Sequence, residues 1–337
     1  LRNIRPSKYA QQESKSVKLA EEAMMKGDTA KAIDYKRAQL LNNILTKQAV
    51  EIHRQYDKFT KGNTALKNNQ ILVENCVFEH TGGSGFVPNK SEDVVVQNCI
   101  FNHTGSSTDD RMWKRGSGMW PFDCKNVVAQ HNKFMNANGP MDSYGSHIDY
   151  GNENVVFQYN YSCNNEGGFA EILGDNKNCG YRYNISVNDG YREDPNGTPW
   201  DKKGKIFWVS NYCGQNPIRC PSVGTFIYNN SVFVSDTLNP EIYFWPNVGD
   251  VHVYNNLIVT GQNGQTIPTL LENDPSDLYI SHNLFFDSTR IDLDIELRNN
   301  AIYGDPLLLN TFYYGENNDE AYQVQSLSLI HISEPTR

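Results

Sequence analysis

No run of apolar residues in this chain approaches the roughly 18 needed for a membrane-spanning helix, so no membrane span is expected. Basic residues are scarce: 30 Lys and Arg stand against 39 Asp and Glu, a net charge of −9. They form no stripe of the kind that neutralises phosphates, which excludes DNA or RNA as a partner. None of the seven cysteines forms a CxxC pair, so neither a zinc site nor a redox motif is supported. Helical periodicity is missing from residue 68 onward, and the regular Leu spacing of leucine-rich repeats is missing throughout. The start, at Leu1, has no Met, no charged n-region and no apolar h-region. A leader either removed or never captured in this fragment, and an extracellular or periplasmic location in a bacterium, are the expectation.

What is present is a repeat. Strand-favouring residues, two polar or aromatic ones, an Asn or Cys and further apolar residues recur as ILVENCVF from Ile71, VVVQNCIF from Val94, VVAQHNKF from Val127 and VVFQYNYS from Val155. The series continues as CGYRYNIS from Cys179, FIYNNSVF from Phe226, VHVYNNLIV from Val251 and LYISHNLFF from Leu278. The anchor column is Cys76, Cys99, Asn132, Asn160, Asn184, Asn230, Asn256 and Asn283, at intervals of 23, 33, 28, 24, 46, 26 and 27 residues. Such units bury their faces only by stacking. An Asn at an inside turn tolerates left-handed backbone angles, and its amide can bond to the same position one coil away.

On this column the stretch from Asn68 to Leu309 resembles the right-handed parallel β-helix proteins of the pectin-lyase-like superfamily. The resemblance implies an all-β solenoid of about eight or more coils over residues 68–310. It also implies action on polysaccharides, with a site on an outward sheet between loops. The sequons at Asn160, Asn184 and Asn229 coincide with the turns and are not expected to be glycosylated.

Outside the solenoid, residues 1–12 read as a remnant of a preceding segment and residues 13–61 as a helical hairpin, an insertion or cap. There Gly27 ends one helix and Asp28 caps a second that carries Ile33, Leu40, Leu41, Ile44 and Leu45. Residues 311–326 form a truncated C-terminal segment. Leu327–Arg337, LSLIHISEPTR, matches codon for codon the translation of a transposase sequencing adapter, so it is set apart from the fold as an artefact of an assembled metagenomic read. Cys213 and Cys220, seven residues apart, are the best disulfide candidates. Cys76 and Cys99 read as a buried thiol stack.

A second strand follows each anchor: GSGFVP, GSGMWPF, GSHIDYG, GGFAEIL, GKIFWVS and EIYFWP. If Ile148, Ala170 and Ile172 face inward, period-two alternation sends His147, Asp149 and Glu171 to the outer face. Counting back from the anchors aligns His147 with Glu171, whereas aligning the glycine pairs puts Asp149 beside Glu171. Both registers keep the three polar residues on one face. With coils about 4.8 Å apart, Asp149 and Glu171 would approach the roughly 5 Å carboxyl separation of retaining glycosidases, one protonated and one ionised, with His147 orienting either. The same oxygens also suit a calcium ion near Asp149, Glu171 and Asp175, with Asp142 as a further ligand, although the hydrolase chemistry requires no cofactor. A plain solvated face is the third reading.

Insertions at 102–115, 135–144 and 187–203 all fall between the first and second strand of their coils, which would stack them into a wall beside that face. The wall would offer Trp113, Lys114, Arg115, Asp142, Tyr191, Arg192 and Trp200 to a sugar chain, with the two tryptophans equally suited to anchoring their loops. Glu171–Lys177 is similar to the Glu-Ile-Ile-Ser-Asn-Lys segment of alginate and chondroitin lyases, which implies Lys177 as a Brønsted base beside bound calcium. Here the segment is one residue longer, and Phe169 stands where a second calcium-binding Glu would be. A monomeric glycoside hydrolase acting on a polysaccharide or oligosaccharide is therefore the leading expectation. A lyase comes second and a non-catalytic glycan-binding or structural β-helix third.

Overall fold

The computed structural model describes residues 68–105, 115–139, 141–193, 203–214, 217–260, 266–267, 269–271, 277–286, 290–291 and 300–303, with seven residues between 18 and 31. The chain divides into two compact units, residues 1–66 and 67–337. In the first, Lys18, Leu19, Glu21, Glu22, Met25 and Lys31 are helical, and Lys26 N–H donates to the Glu22 carbonyl at 3.2 Å. Pairing of two helices into a hairpin lies outside the described residues, as do the segments 1–12 and 311–326 and the adapter-like tail. Among the described residues no helix is long and apolar enough to cross a membrane.

The second unit is all β, in parallel sheets of eight, five and nine strands among the described residues, with a further two-stranded pair. Each coil contributes first to the eight-stranded sheet, then to the nine-stranded sheet, and from residue 144 also to the five-stranded one. This order fits a parallel β-helix. Alternation decides which side chains go in: Val94, Val127 and Val155 face the core at 0% exposure, while Asn154, Val156 and Gln158 on the same sheet face out. Inside, like residues stack on like: the Phe78 and Phe101 rings lie 4.6 Å apart and Phe101 and Phe134 4.8 Å apart.

The anchor column is a continuous ladder. Asn160 N–H and Nδ2 donate to Asn184 Oδ1 at 2.9 and 3.0 Å, while Asn184 N–H and Nδ2 donate to Asn230 Oδ1 at 3.1 and 2.9 Å. The same arrangement runs from Asn132 to Asn283, and each Nδ2 also reaches a backbone carbonyl, as Asn184 does to Phe157 at 2.9 Å. Cys99 N–H caps the series on Asn132 Oδ1 at 2.9 Å, and Cys76 N–H points to Cys99 Sγ at 3.4 Å. The left-handed residue is the one before the anchor: His131, Tyr159, Tyr183 and His282 have φ of 54, 54, 56 and 54°. The anchor therefore bonds, and its predecessor bends. The other two corners carry shorter versions, Cys124 to Asn152 to Asn176 to Ser222 and Ala137 to Asn165 to Asp189.

Cys213 and Cys220 form a disulfide with 5.8 Å between their Cα atoms. Cys99 is buried and free, and Cys76 is partly covered.

The ladder should carry stability unequally with the outward rungs. Replacing Asn184 by Ala strands the buried N–H and Nδ2 of Asn160 and the Phe157 carbonyl, at a cost of about 2–4 kcal/mol. Gln130→Ala removes only outward amide contacts, to Gln97 and Gln158, and should stay within about 1 kcal/mol. Denaturant midpoints of the two variants test the ranking, and equal effects would contradict it.

Candidate active site

The five-stranded sheet departs from simple alternation. In the strand Lys205–Val209, Ile206 and Phe207 are both core residues, and in Gly168–Ile172 Phe169 and Ala170 both are. Two successive inward residues leave the outward positions three apart, Lys205 with Trp208 and, in the strand Tyr144–Ile148, Tyr144 with His147. Ile148, Ala170 and Ile172 lie in the core as expected.

Register settles the alignment. His147 pairs with Glu171 and Glu171 with Trp208, so the outer face carries the row Trp120, His147, Glu171, Trp208, Tyr243. The glycine-pair alignment fails because Gly168 sits opposite Tyr144. Asp149 therefore does not lie beside Glu171. It stands two positions further on, at the strand end, where its N–H donates to Pro121 O at 3.2 Å and its Oδ1 accepts from Tyr150 N–H at 2.8 Å.

Nor is the row solvated, as a plain surface would be. His147 and Glu171 are each 2% exposed. The Trp120 ring stacks on His147 at 5.3 Å and 10°, and Ser117 Oγ lies 3.0 Å from His147 Nδ1. Glu171 Oε2 is 3.9 Å from the same Nδ1 and has no hydrogen-bond partner among the described residues. Trp120, Ser117, Trp208, Tyr144 and Lys205 were not among the expected site residues. The aromatic at the fifth place of the Trp120 and Trp208 segments, the place Glu171 holds in its own, carried the signal.

At the other end of the strand, Asp142 pairs with Arg115, Nε to Oδ2 at 3.2 Å, with side chains 34% and 43% exposed. Tyr191 is 39% exposed. Arg192, expected to face a ligand, is instead a buried brace: it donates to Gly139 O, Met141 O and Ser143 Oγ and pairs with Glu166 at 3.3 Å, so it holds the 135–144 loop. Lys205 Nζ is buried between Glu241 at 3.7 Å and the Trp208 ring. Trp113, Lys114 and Trp200 lie outside the described residues.

Burial and mutual repulsion set the protonation states. Burial, opposed by Tyr150 N–H and reinforced by Asp142, lifts Asp149 from 3.8 to about 7. Glu171 is raised well above the usual range by burial, then by Asp142 and Asp149. Asp142 is raised by burial against Arg115 and Arg192. Burial, then Arg115, lowers His147 to about 3, so the ring is neutral. Three carboxyls thus share one electrostatic field with Arg115, and near neutrality the set retains protons. Asp175 is exposed on the turn beyond, and no group of three His, Cys, Asp or Glu among the described residues is arranged to hold a metal. Lys177 is exposed and begins a strand of the eight-stranded sheet, not the sheet of Glu171.

No family model matches the chain. Over 125 residues, 35% of the chain, it is 33% identical to the lacto-N-biosidase of Bifidobacterium longum subsp. longum. The match spans only 6% of that relative.

The proton held by Asp149 has a measurable consequence. Between about pH 4 and 7 the folded state keeps a proton that the unfolded state has released, so this group's contribution is present at low pH and is lost as pH rises through about 7. An amide at this position would stay neutral throughout. Thermal melts should show Asp149→Asn gaining several degrees over the parent between pH 4 and pH 8, and a gain independent of pH would refute the raised pKa.

Proposed function

We propose that the chain is a carbohydrate-active enzyme, a glycoside hydrolase built on a right-handed parallel β-helix of the pectin-lyase-like kind. The observation that carries the reading is the coupled carboxyl set at the ends of the strand Tyr144–Ile148, in which Asp149 holds a proton near pH 7 while Asp142 faces Arg115 at 3.2 Å. The local likeness to a lacto-N-biosidase, by name a glycoside hydrolase, supports the same class. The Cys213–Cys220 disulfide suits an oxidising, extracytoplasmic compartment.

Glycosidic cleavage needs one carboxylic acid that gives its proton to the leaving oxygen and one carboxylate facing the anomeric carbon. Asp149 is the acid. Asp142, one-third exposed and flanked by two arginines, is the carboxylate. Glu171 suits neither role, since it is sealed at 2% exposure and held neutral. It is a positioning residue beside His147. As the C–O bond breaks, its electron pair takes the Asp149 proton and negative charge on Asp142 meets the developing positive charge at carbon; a water then bonds to that carbon and gives up a proton that restores the acid on Asp149. A lyase based on Lys177 is less well supported, because that side chain starts a different sheet.

An aryl lacto-N-bioside, the glycoside that the relative's name indicates, is the first substrate to assay, followed by neutral oligosaccharides. Asp149→Asn and Asp142→Asn should each lower kcat/KM by roughly 10²–10⁴. Glu171→Gln, which keeps a neutral side chain, should lose less than about tenfold. In the parent, kcat/KM should fall as pH rises past about 7. Active Asp142→Asn beside inactive Glu171→Gln would transfer the second role to Glu171, and products with an unsaturated ring would replace hydrolysis by elimination.

A further inference from the structure

Outward columns on the eight-stranded sheet run from coil to coil, and three of them change at the same place. Phe226, His252 and Tyr279 stack ring on ring at 5.2 and 4.8 Å. The position that should continue this stack is Gly180, between Val156 on one side and Phe226 on the other. No larger residue fits there, because a Cβ would lie 2.0 Å from the Phe226 carbonyl oxygen. The missing side chain opens a hollow of about 390 Å³, within the size range of small-ligand sites.

On one side of the gap an amide column ends. Asn154 Nδ2 donates to Asn126 Oδ1 at 3.1 Å and Asn178 Nδ2 to Asn154 Oδ1 at 2.8 Å, but the next coil offers Gly224 and no amide. Asn178 Oδ1 accepts no hydrogen bond from a described residue. On the other side stands Arg182, whose Nε donates to Gln158 at 2.8 Å and whose Nη1 donates to the Tyr228 hydroxyl at 2.9 Å. That uses two of five N–H groups and leaves three. The hollow thus combines the end of an aromatic stack, a free acceptor and free donors.

We propose that this hollow binds one neutral pyranose residue of a glycan, with a C–H face on Phe226 and its hydroxyls between Asn178 and Arg182. A single cation among the described lining residues, on a chain of net charge −9, favours a neutral ring over an acidic sugar. The site lies on a different sheet from Asp149 and Asp142, so it anchors glycan independently of the carboxyl groove and does not rest on the hydrolase reading.

An array of neutral oligosaccharides ending in galactose, glucose or N-acetylhexosamine, printed with their sialylated and uronate counterparts, tests the assignment. The full chain carrying Asp149→Asn, to suppress turnover, should bind neutral spots. Adding Phe226→Ala or the slot-filling Val156→Trp should weaken that binding by about tenfold or more, with circular dichroism and melting temperature close to the parent's. Binding that is absent, confined to acidic spots, or unchanged in both well-folded slot variants would overturn the proposal. The aryl lacto-N-bioside assay reads the carboxyl groove separately: slot variants should retain activity there, so loss of either property does not entail loss of the other.

Discussion

Everything in the second unit depends on the hydrogen bond from one asparagine amide to the same position one coil away. A chain that turns a tight corner every few residues leaves backbone N–H groups pointing into the core, where each unpaired group costs on the order of 1–3 kcal/mol. Each Asn Oδ1 in the column takes both the N–H and the Nδ2 of its neighbour, and each Nδ2 closes a carbonyl as well. From Asn132 to Asn256 no amide donor or acceptor is left over, and the pattern works only when coils superpose. The ladder is therefore also the ruler of the molecule, because superposed corners fix which residues on the following strands meet.

That ruler explains the acidic cluster. Measured from Asn160 and Asn184, His147 meets Glu171, and Trp120 and Trp208 fall in the same row. Aromatic neighbours cover the pair and remove water, so the carboxyl is held neutral and the imidazole uncharged. Such burial destabilises the fold locally and is sustained by the rigid sheet beneath. Asp149 and Asp142, at the two ends of a strand, escape full cover because the chain leaves the sheet there. Exposure therefore sorts three coupled carboxyls into one that is sealed and two that meet solvent.

Much of this was legible in the sequence. Asn or Cys at seven intervals of 23 to 46 residues is a signal that survives insertions, because the side-chain chemistry of a corner admits few substitutes. The bend itself was misplaced by one residue: Tyr159 and Tyr183 hold the left-handed angles usually associated with Asn, since the asparagine after each of them is occupied in the ladder. Glycine pairs misled as well. Gly145 sits tight over Phe134 and Ser162 inside the coil, whereas Gly168 answers a different constraint, a φ of 150° against the Lys205 carbonyl, so the two are not equivalent positions. Arg192 looked like a ligand-facing cation because charge in a loop ordinarily is. Only the fold reveals that three backbone and side-chain oxygens of the neighbouring loop surround it.

A ladder architecture also determines what counts as a site. Where a column repeats one residue type, each side chain satisfies its neighbours and nothing is left for a ligand, as in Gln97, Gln130 and Gln158. Within a column, unsatisfied groups arise where the repeat is interrupted. One interruption sets His147 and Glu171 between tryptophans. Another sets Gly180 between Val156 and Phe226. In both, the coils above and below hold the irregular position rigidly, so the interruption gains a fixed geometry that an exposed loop would have to acquire on binding. The regularity that makes the fold readable is therefore also what makes its exceptions competent to bind.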